Sequence, residues 1–134
     1  MSHSAKTLTG TRVLLVEDEA LVAMLLEDML ADQGCSVVAT GARLDEALTH
    51  ANNMALEFDV ALLDLNLAGE STFSVAAVLA ARNIPFAFST GYGASGLPPE
   101  WRDRPTLQKP FTVDDMTKAL RQALGRVQSA NGLA

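Results

Sequence analysis

The sequence is poor in several things, and each scarcity narrows its function. It holds one cysteine, Cys35. No internal disulfide can form, and a cytosolic location is the default expectation. Cys35 itself reads as a small buried hydrophobe. No apolar run reaches the ~18 residues of a membrane-spanning helix. The polar opening, Met1 to Gly10, lacks the apolar segment of a secretory signal. Lys and Arg form no long block, and the net charge is −6. Neither a polybasic membrane patch nor strong direct binding to nucleic acid is expected, because nothing would offset phosphate repulsion. No internal repeat is visible, and low complexity is confined to the last few residues. What is present is 134 residues, 49% of them hydrophobic, enough for one domain with a real core.

Short apolar runs alternate with longer helical segments. Arg12 to Val16 reads as a buried strand that stops at Glu17-Asp18-Glu19. Those acids are expected to begin a helix reaching about Asp32, with Gly34 to stop it. Cys35–Thr40 is a second strand and Leu44–Asn52 a second helix. Val60–Leu63 is a third strand, apolar on consecutive residues and so covered on both faces, ending at Asp64. Ser71–Arg82 is a third helix, Pro85–Ser89 a fourth strand and Thr106–Gln108 a fifth. Thr112 caps a last helix running to Arg126, with Asp114 and Asp115 in its first turn. Residues 1–10 and 127–134 are expected as flexible tails around a domain at 11–126. Between strands four and five, Gly91 to Trp101 contains three glycines and two prolines. A short turn or a mobile loop is expected there in place of a full fourth helix. Trp101 is expected to pin this segment to the domain. Strict alternation implies a parallel sheet covered on both faces and wound by right-handed crossovers.

The polar residues that stand out all fall at carboxyl ends of strands, where doubly wound sheets bind ligands. Glu17 and Asp18 follow strand one, Asp64 strand three, Thr90 strand four and Lys109 strand five. In a sheet of order 2-1-3-4-5, strands one and three are neighbours, so three carboxylates crowd one edge. Such a cluster requires a cation or raised pKa values. Oxygen-only ligands with room for water and phosphate favour Mg²⁺. Lys109 supplies a compact positive charge for Asp64 and for a phosphoryl oxygen, and Thr90 a hydroxyl donor. Phosphoryl transfer needs chiefly positioning and charge neutralisation.

The stretches Val13–Glu19, Asp59–Leu67, Phe88–Gly91 and Lys109–Phe111, in this order and at these spacings, resemble the response-regulator receiver family over roughly residues 11–126. The resemblance implies a flavodoxin-like (βα)5 fold with sheet order 2-1-3-4-5. It makes Asp64 similar to the phosphoacceptor. Asp18 would ligate the metal directly, Glu17 through water, and Asn66 through its backbone carbonyl. Thr90 matches the switch hydroxyl. Lys109 matches the active-site lysine, with a cis bond to Pro110. The phosphodonor would be a sensor histidine kinase or a histidine phosphotransfer protein. The chain would be a stand-alone, cytoplasmic regulator, monomeric or weakly dimeric, with phosphoryl gain and loss as its only intrinsic chemistry.

Phe88-Ser89-Thr90-Gly91-Tyr92-Gly93 resembles a subclass frequent among alphaproteobacterial single-domain regulators, with a Phe-Ala-Thr-Gly-like motif and a poorly formed fourth helix. Two positions depart from the common pattern. Thr106 stands where the switch aromatic is usual, which weighs against aromatic flipping coupled to Thr90. Ala68 stands where proline is frequent. Tyr92 is expected to cover the phosphorylated aspartate and limit its hydrolysis. In the first helix, Val22, Leu25, Leu26, Met29 and Leu30 form a stripe expected to face the sheet. Ala20, Leu21, Ala23 and Met24 fall off it, a docking face for the kinase's helical bundle.

Other functions fit less well. A phosphorylation-independent interaction module of the same fold would have no need of the acid cluster, Thr90 and Lys109 together. A haloacid-dehalogenase-type phosphatase needs Asp-x-Asp after strand one, where Glu17-Asp18-Glu19 stands. A flavodoxin needs a hydroxyl- and glycine-rich loop there, and Ser89-Thr90-Gly91 follows a different strand.

Overall fold

Alternate residues of each central strand feed two different cores, which is why the strands read as unbroken apolar runs. In β1 (Arg12–Val16), Val13 and Leu15 join one cluster and Leu14 and Val16 the other. In β3 (Val60–Asp64), Val60 and Leu62 divide from Ala61 and Leu63 in the same way. The structure, a computed structural model, describes residues 7–91 and 97–133, with side chains as far as residue 125.

The remaining elements are α1 (Ala20–Asp32), β2 (Ser36–Gly41), α2 (Leu44–Asn52), β4 (Asn66–Leu67), β5 (Glu70–Ser71), α3 (Phe73–Ala81), β6 (Phe86–Thr90), a 3₁₀ turn (Pro99–Trp101), β7 (Thr106–Gln108) and α4 (Val113–Leu133). Five parallel strands lie in the order β2-β1-β3-β6-β7, which is 2-1-3-4-5 once the β4–β5 hairpin is set aside. Residues of α1 and α4 pack in the cluster of Val13 and Leu15, and those of α2 and α3 in the cluster of Leu14 and Val16.

Several boundaries differ from expectation. Glu17, Asp18 and Glu19 precede α1 rather than forming its first turn. The Glu17 amide still donates to the Gly41 carbonyl at 3.0 Å, so the chain is held to the sheet edge as far as Glu17. The third helix starts at Phe73 because residues 66–71 fold into the β4–β5 hairpin. Its turn carries positive φ at Ala68 (53°) and Gly69 (91°). Proline, fixed near φ −65°, cannot adopt that geometry, so the departure at Ala68 has a backbone cause. The last helix continues through 127–133, the stretch expected as a tail, to Leu133. Thr112 caps it reciprocally: its Oγ1 accepts the Asp115 amide (3.1 Å) and Asp115 Oδ2 accepts the Thr112 amide (3.0 Å).

Where a fourth helix was not expected, the described residues show only the 3₁₀ turn. Trp101 is buried and packs edge-on against Phe86 and Phe88, with ring centroids 5.8 and 6.5 Å away. The Arg104 guanidinium lies 4.4 Å above the Phe86 ring. Trp101 thus pins the 3₁₀ turn to β6, as expected.

Candidate functional site

Strand register assembles the site. Val16 pairs with Leu63, so Glu17 and Asp64 emerge side by side from β1 and β3. Asp64 pairs with Ser89 and Thr90 with Gln108, which brings the ends of β6 and β7 to the same edge. The Lys109 amide then donates to the Thr90 carbonyl at 2.8 Å. Residues separated by up to 92 positions in sequence meet at one sheet edge.

Glu17 and Asp64 are buried, and Asp18 is half-buried. One carboxylate oxygen of each lies within 4.8 Å of the others. Lys109 Nζ donates to Asp64 Oδ2 at 2.9 Å and to Glu17 Oε1 at 3.1 Å. The other Glu17 oxygen accepts the Glu19 amide at 3.1 Å. Asp18 Oδ2 accepts the Ala68 amide at 3.0 Å, and Asp64 Oδ1 accepts the Asn66 amide at 3.2 Å. The Asn66 side chain is used within the hairpin, its Oδ1 accepting the Gly69 amide at 2.7 Å.

The electrostatics are those of a crowded anionic edge. Burial holds the Glu17 carboxyl above its ordinary value of 4.5; the Glu19 amide opposes this and the nearby Asp64 charge adds to it. For Lys109, burial works against the ammonium, but the hydrogen bonds and charges of Asp64 and Glu17 prevail and hold it above 10.5. The hydrogen bond and charge of Lys109 also act downward on Glu17, and burial outweighs them. An all-oxygen donor set of net negative charge, with Lys109 on one side only, fits a hard divalent cation.

A family model described as the response regulator receiver domain matches residues 13–121. The chain belongs to the response regulator receiver domain family. Among curated relatives, the transcriptional regulatory protein PdtaR of Mycobacterium tuberculosis is 29% identical over 126 residues, covering 91% of this chain. This chain spans 60% of that relative's length. Among solved structures, SdrG from Sphingomonas melonis Fr1 is 46% identical, with TM-score 0.74 over 85% of this chain and 95% of that one. The response regulator PhyR from Brucella abortus is 29% identical, with TM-score 0.80 over 97% of this chain and 54% of that one. Receiver domains are signalling domains rather than enzymes in the ordinary sense, and the acid cluster of this one suits the metal and phosphoaspartate site of its family.

Glu17, Asp18, Asp64, Asn66, Thr90 and Lys109 thus come to one edge of this receiver. Thr90 is buried at the end of β6. The Lys109–Pro110 bond is cis, as expected. Gly91 is exposed with open space around it. Thr106 lies in β7, its hydroxyl donating to the Arg104 carbonyl at 3.1 Å. Tyr92 lies outside the described residues.

Two assignments on α1 change. Leu25, expected in the core stripe, is 60% exposed, and Ala23, expected on the outer face, packs against the core. Helical spacing gives the reason: Leu21, Met24 and Leu25 stand at i, i+3 and i+4, one stripe, while Val22, Leu26, Met29 and Leu30 form the other. The exposed face is Ala20, Leu21, Met24 and Leu25.

One residue of the site had no warning in the sequence. Thr72 is fully buried, and its hydroxyl donates to the Asp64 carbonyl at 2.7 Å. Thr72 was expected inside a helix starting at Ser71, where a hydroxyl gives no sign of this contact.

Proposed function

We propose that this receiver accepts a phosphoryl group on Asp64 from a phosphohistidine of a sensor kinase or phosphotransfer protein, in a Mg²⁺-dependent reaction, and signals through the protein contacts that follow. The observation that carries this reading is the enclosed Asp64 carboxylate, 2.9 Å from Lys109 and within 4.8 Å of the Glu17 and Asp18 oxygens. A carboxylate oxygen of Asp64 attacks phosphorus. The phosphorus–oxygen bond forms as the phosphorus–nitrogen bond breaks, and the imidazole leaves with the electron pair and gains a proton. Glu17, Asp18, Asp64 and the Asn66 carbonyl would hold Mg²⁺, which neutralises charge on the phosphoryl oxygens. Lys109 pairs with a second phosphoryl oxygen and Thr90 donates its hydroxyl to the same group. A modified Asp64 then shifts the population between two conformations and so the affinity for a partner. SdrG has also been solved in a BeF3-activated conformation, 44% identical to this chain, which supports a site shaped for such a group.

The exposed Ala20, Leu21, Met24 and Leu25, next in sequence to Glu17–Glu19, serve as the docking face for the donor's helices. We place the protein in the cytoplasm, as a monomer or weak homodimer. No described helix is long and apolar enough to cross a membrane.

The test is intact mass after incubation with a small-molecule phosphodonor and Mg²⁺, beside Asp64→Ala. One added phosphoryl group, absent in the variant and absent without metal, is expected. A folded protein that gains none from the small donor or from a phosphorylated histidine kinase is a phosphorylation-independent interaction module instead.

A further inference from the structure

The contact between Thr72 and the acceptor strand carries an inference that rests on the phosphoacceptor reading of Asp64 and extends it. Thr72 is the N-cap of α3, yet its hydroxyl makes no cap to the helix. A threonine at that position ordinarily gives its oxygen to an amide of the first turn. Here the hydroxyl instead donates to the Asp64 carbonyl at 2.7 Å, while the Thr72 amide donates to the Leu65 carbonyl at 3.1 Å. Pairing between β1 and β3 stops at Val16 and Leu63, one residue short of Asp64, and the Thr72 hydroxyl takes up the Asp64 carbonyl there.

The two bonds close the segment from Leu65 to Ser71 at its neck. That segment carries Asn66, whose amide reaches Asp64 Oδ1, and Ala68, whose amide reaches Asp18 Oδ2. It therefore touches two of the three carboxylates of the cluster. We propose that Thr72 is a positioning residue for the acceptor site: by holding the Asp64 peptide and the neck of the β4–β5 hairpin, it fixes the Asn66 carbonyl and the Asp64 carboxylate where a divalent cation requires them. It touches neither cation nor phosphoryl group, and it acts as outer partners of metal ligands do.

The test is Mg²⁺ alone, titrated into the full chain and followed by backbone amide shifts, for the wild type, Thr72→Val and Thr72→Ser. Thr72→Val keeps the shape and removes the donor. About tenfold weaker Mg²⁺ binding is expected for it, within the range usual for lost outer partners. Thr72→Ser restores the hydroxyl and should bind within about twofold of the wild type. A folded Thr72→Val that binds Mg²⁺ like the wild type, or a Thr72→Ser as weak as Thr72→Val, overturns the proposal. That result leaves the phosphoacceptor reading standing if the wild type gains its adduct. A wild type that binds no Mg²⁺ overturns both. If Thr72→Val does not fold, the wild type decides the matter: its Thr72 hydroxyl proton should be protected from exchange and shift on adding Mg²⁺, and a freely exchanging one overturns the proposal.

Discussion

Lys109 Nζ sits 2.9 Å from Asp64 Oδ2, and the same ammonium reaches Glu17 at 3.1 Å, so a single cation holds two buried carboxylates from neighbouring strands. Removing it leaves both anions facing each other in a low-dielectric edge. Lys109→Met should therefore cost about 2 kcal/mol in urea unfolding without metal. A fully enclosed pair would cost more, ~3–5 kcal/mol, but the Lys109 side chain keeps 23% exposure. Mg²⁺ should narrow the difference, and Asp64 should accept its phosphoryl group about tenfold more slowly. A metal-free variant as stable as the wild type would falsify this account of the lysine.

The cluster should also make stability depend on Mg²⁺. A ligand that binds only the folded chain at ~100 times its Kd adds about 2.7 kcal/mol. Thermal melting in Mg²⁺, against Na⁺ at equal ionic strength, is expected to shift upward in the wild type. Asp18→Ala, which removes one donor of the three and releases the Ala68 amide, should lose most of that shift. Equal melting in both salts would contradict the metal assignment.

How much of this was legible in the sequence depends on what each residue answers to. The strand-end positions of Glu17, Asp18, Asp64, Thr90 and Lys109 follow from apolar runs that end on a polar residue, a local signal, whereas the sheet order came from the family resemblance. The β4–β5 hairpin was not legible, because Ala68 occupies a left-handed position where glycine or asparagine would have announced the turn. Leu25 was misplaced because a stripe containing Val22 and one containing Leu21 both include it at helical spacing, and only packing separates them. Thr72 was missed because it was expected inside a helix starting at Ser71, where a hydroxyl gives no sign that it reaches back eight residues to a strand.

At the opposite end of β1, Arg12 forms an ion pair with Asp59, its Nη2 2.9 Å from Oδ1 and its Nε 3.2 Å from Oδ2. The Arg12 hydrogen bond holds the Asp59 carboxyl below its ordinary 3.8 against the opposing effect of burial. The folded value is depressed, so the unfolded chain binds the proton first. The contribution is complete above 3.8 and is lost as pH falls through the folded value. Asp59→Asn should therefore be less stable than the wild type at neutral pH, by a margin that closes as the solution is acidified below pH 3.8. Urea unfolding across an acid series reads this. A margin that persists unchanged into strong acid would assign the loss to packing instead.

The exposed face of α1 should distinguish a protein donor from a small one. Leu21, Met24 and Leu25 are 80%, 60% and 60% exposed, so polar substitutions there remove little buried apolar surface. Leu21→Gln combined with Met24→Gln should leave folding, and acceptance from a small-molecule phosphodonor, within about twofold of the wild type. Transfer from a phosphorylated histidine kinase should fall about tenfold or more, because apolar area lost from an interface is lost only when a partner covers it. Rapid-quench transfer from a purified kinase, beside the small-donor rate on the same preparation, makes the comparison. If both rates fall together, the substitutions have reached the acceptor edge itself. If neither falls, the donor approaches by another surface.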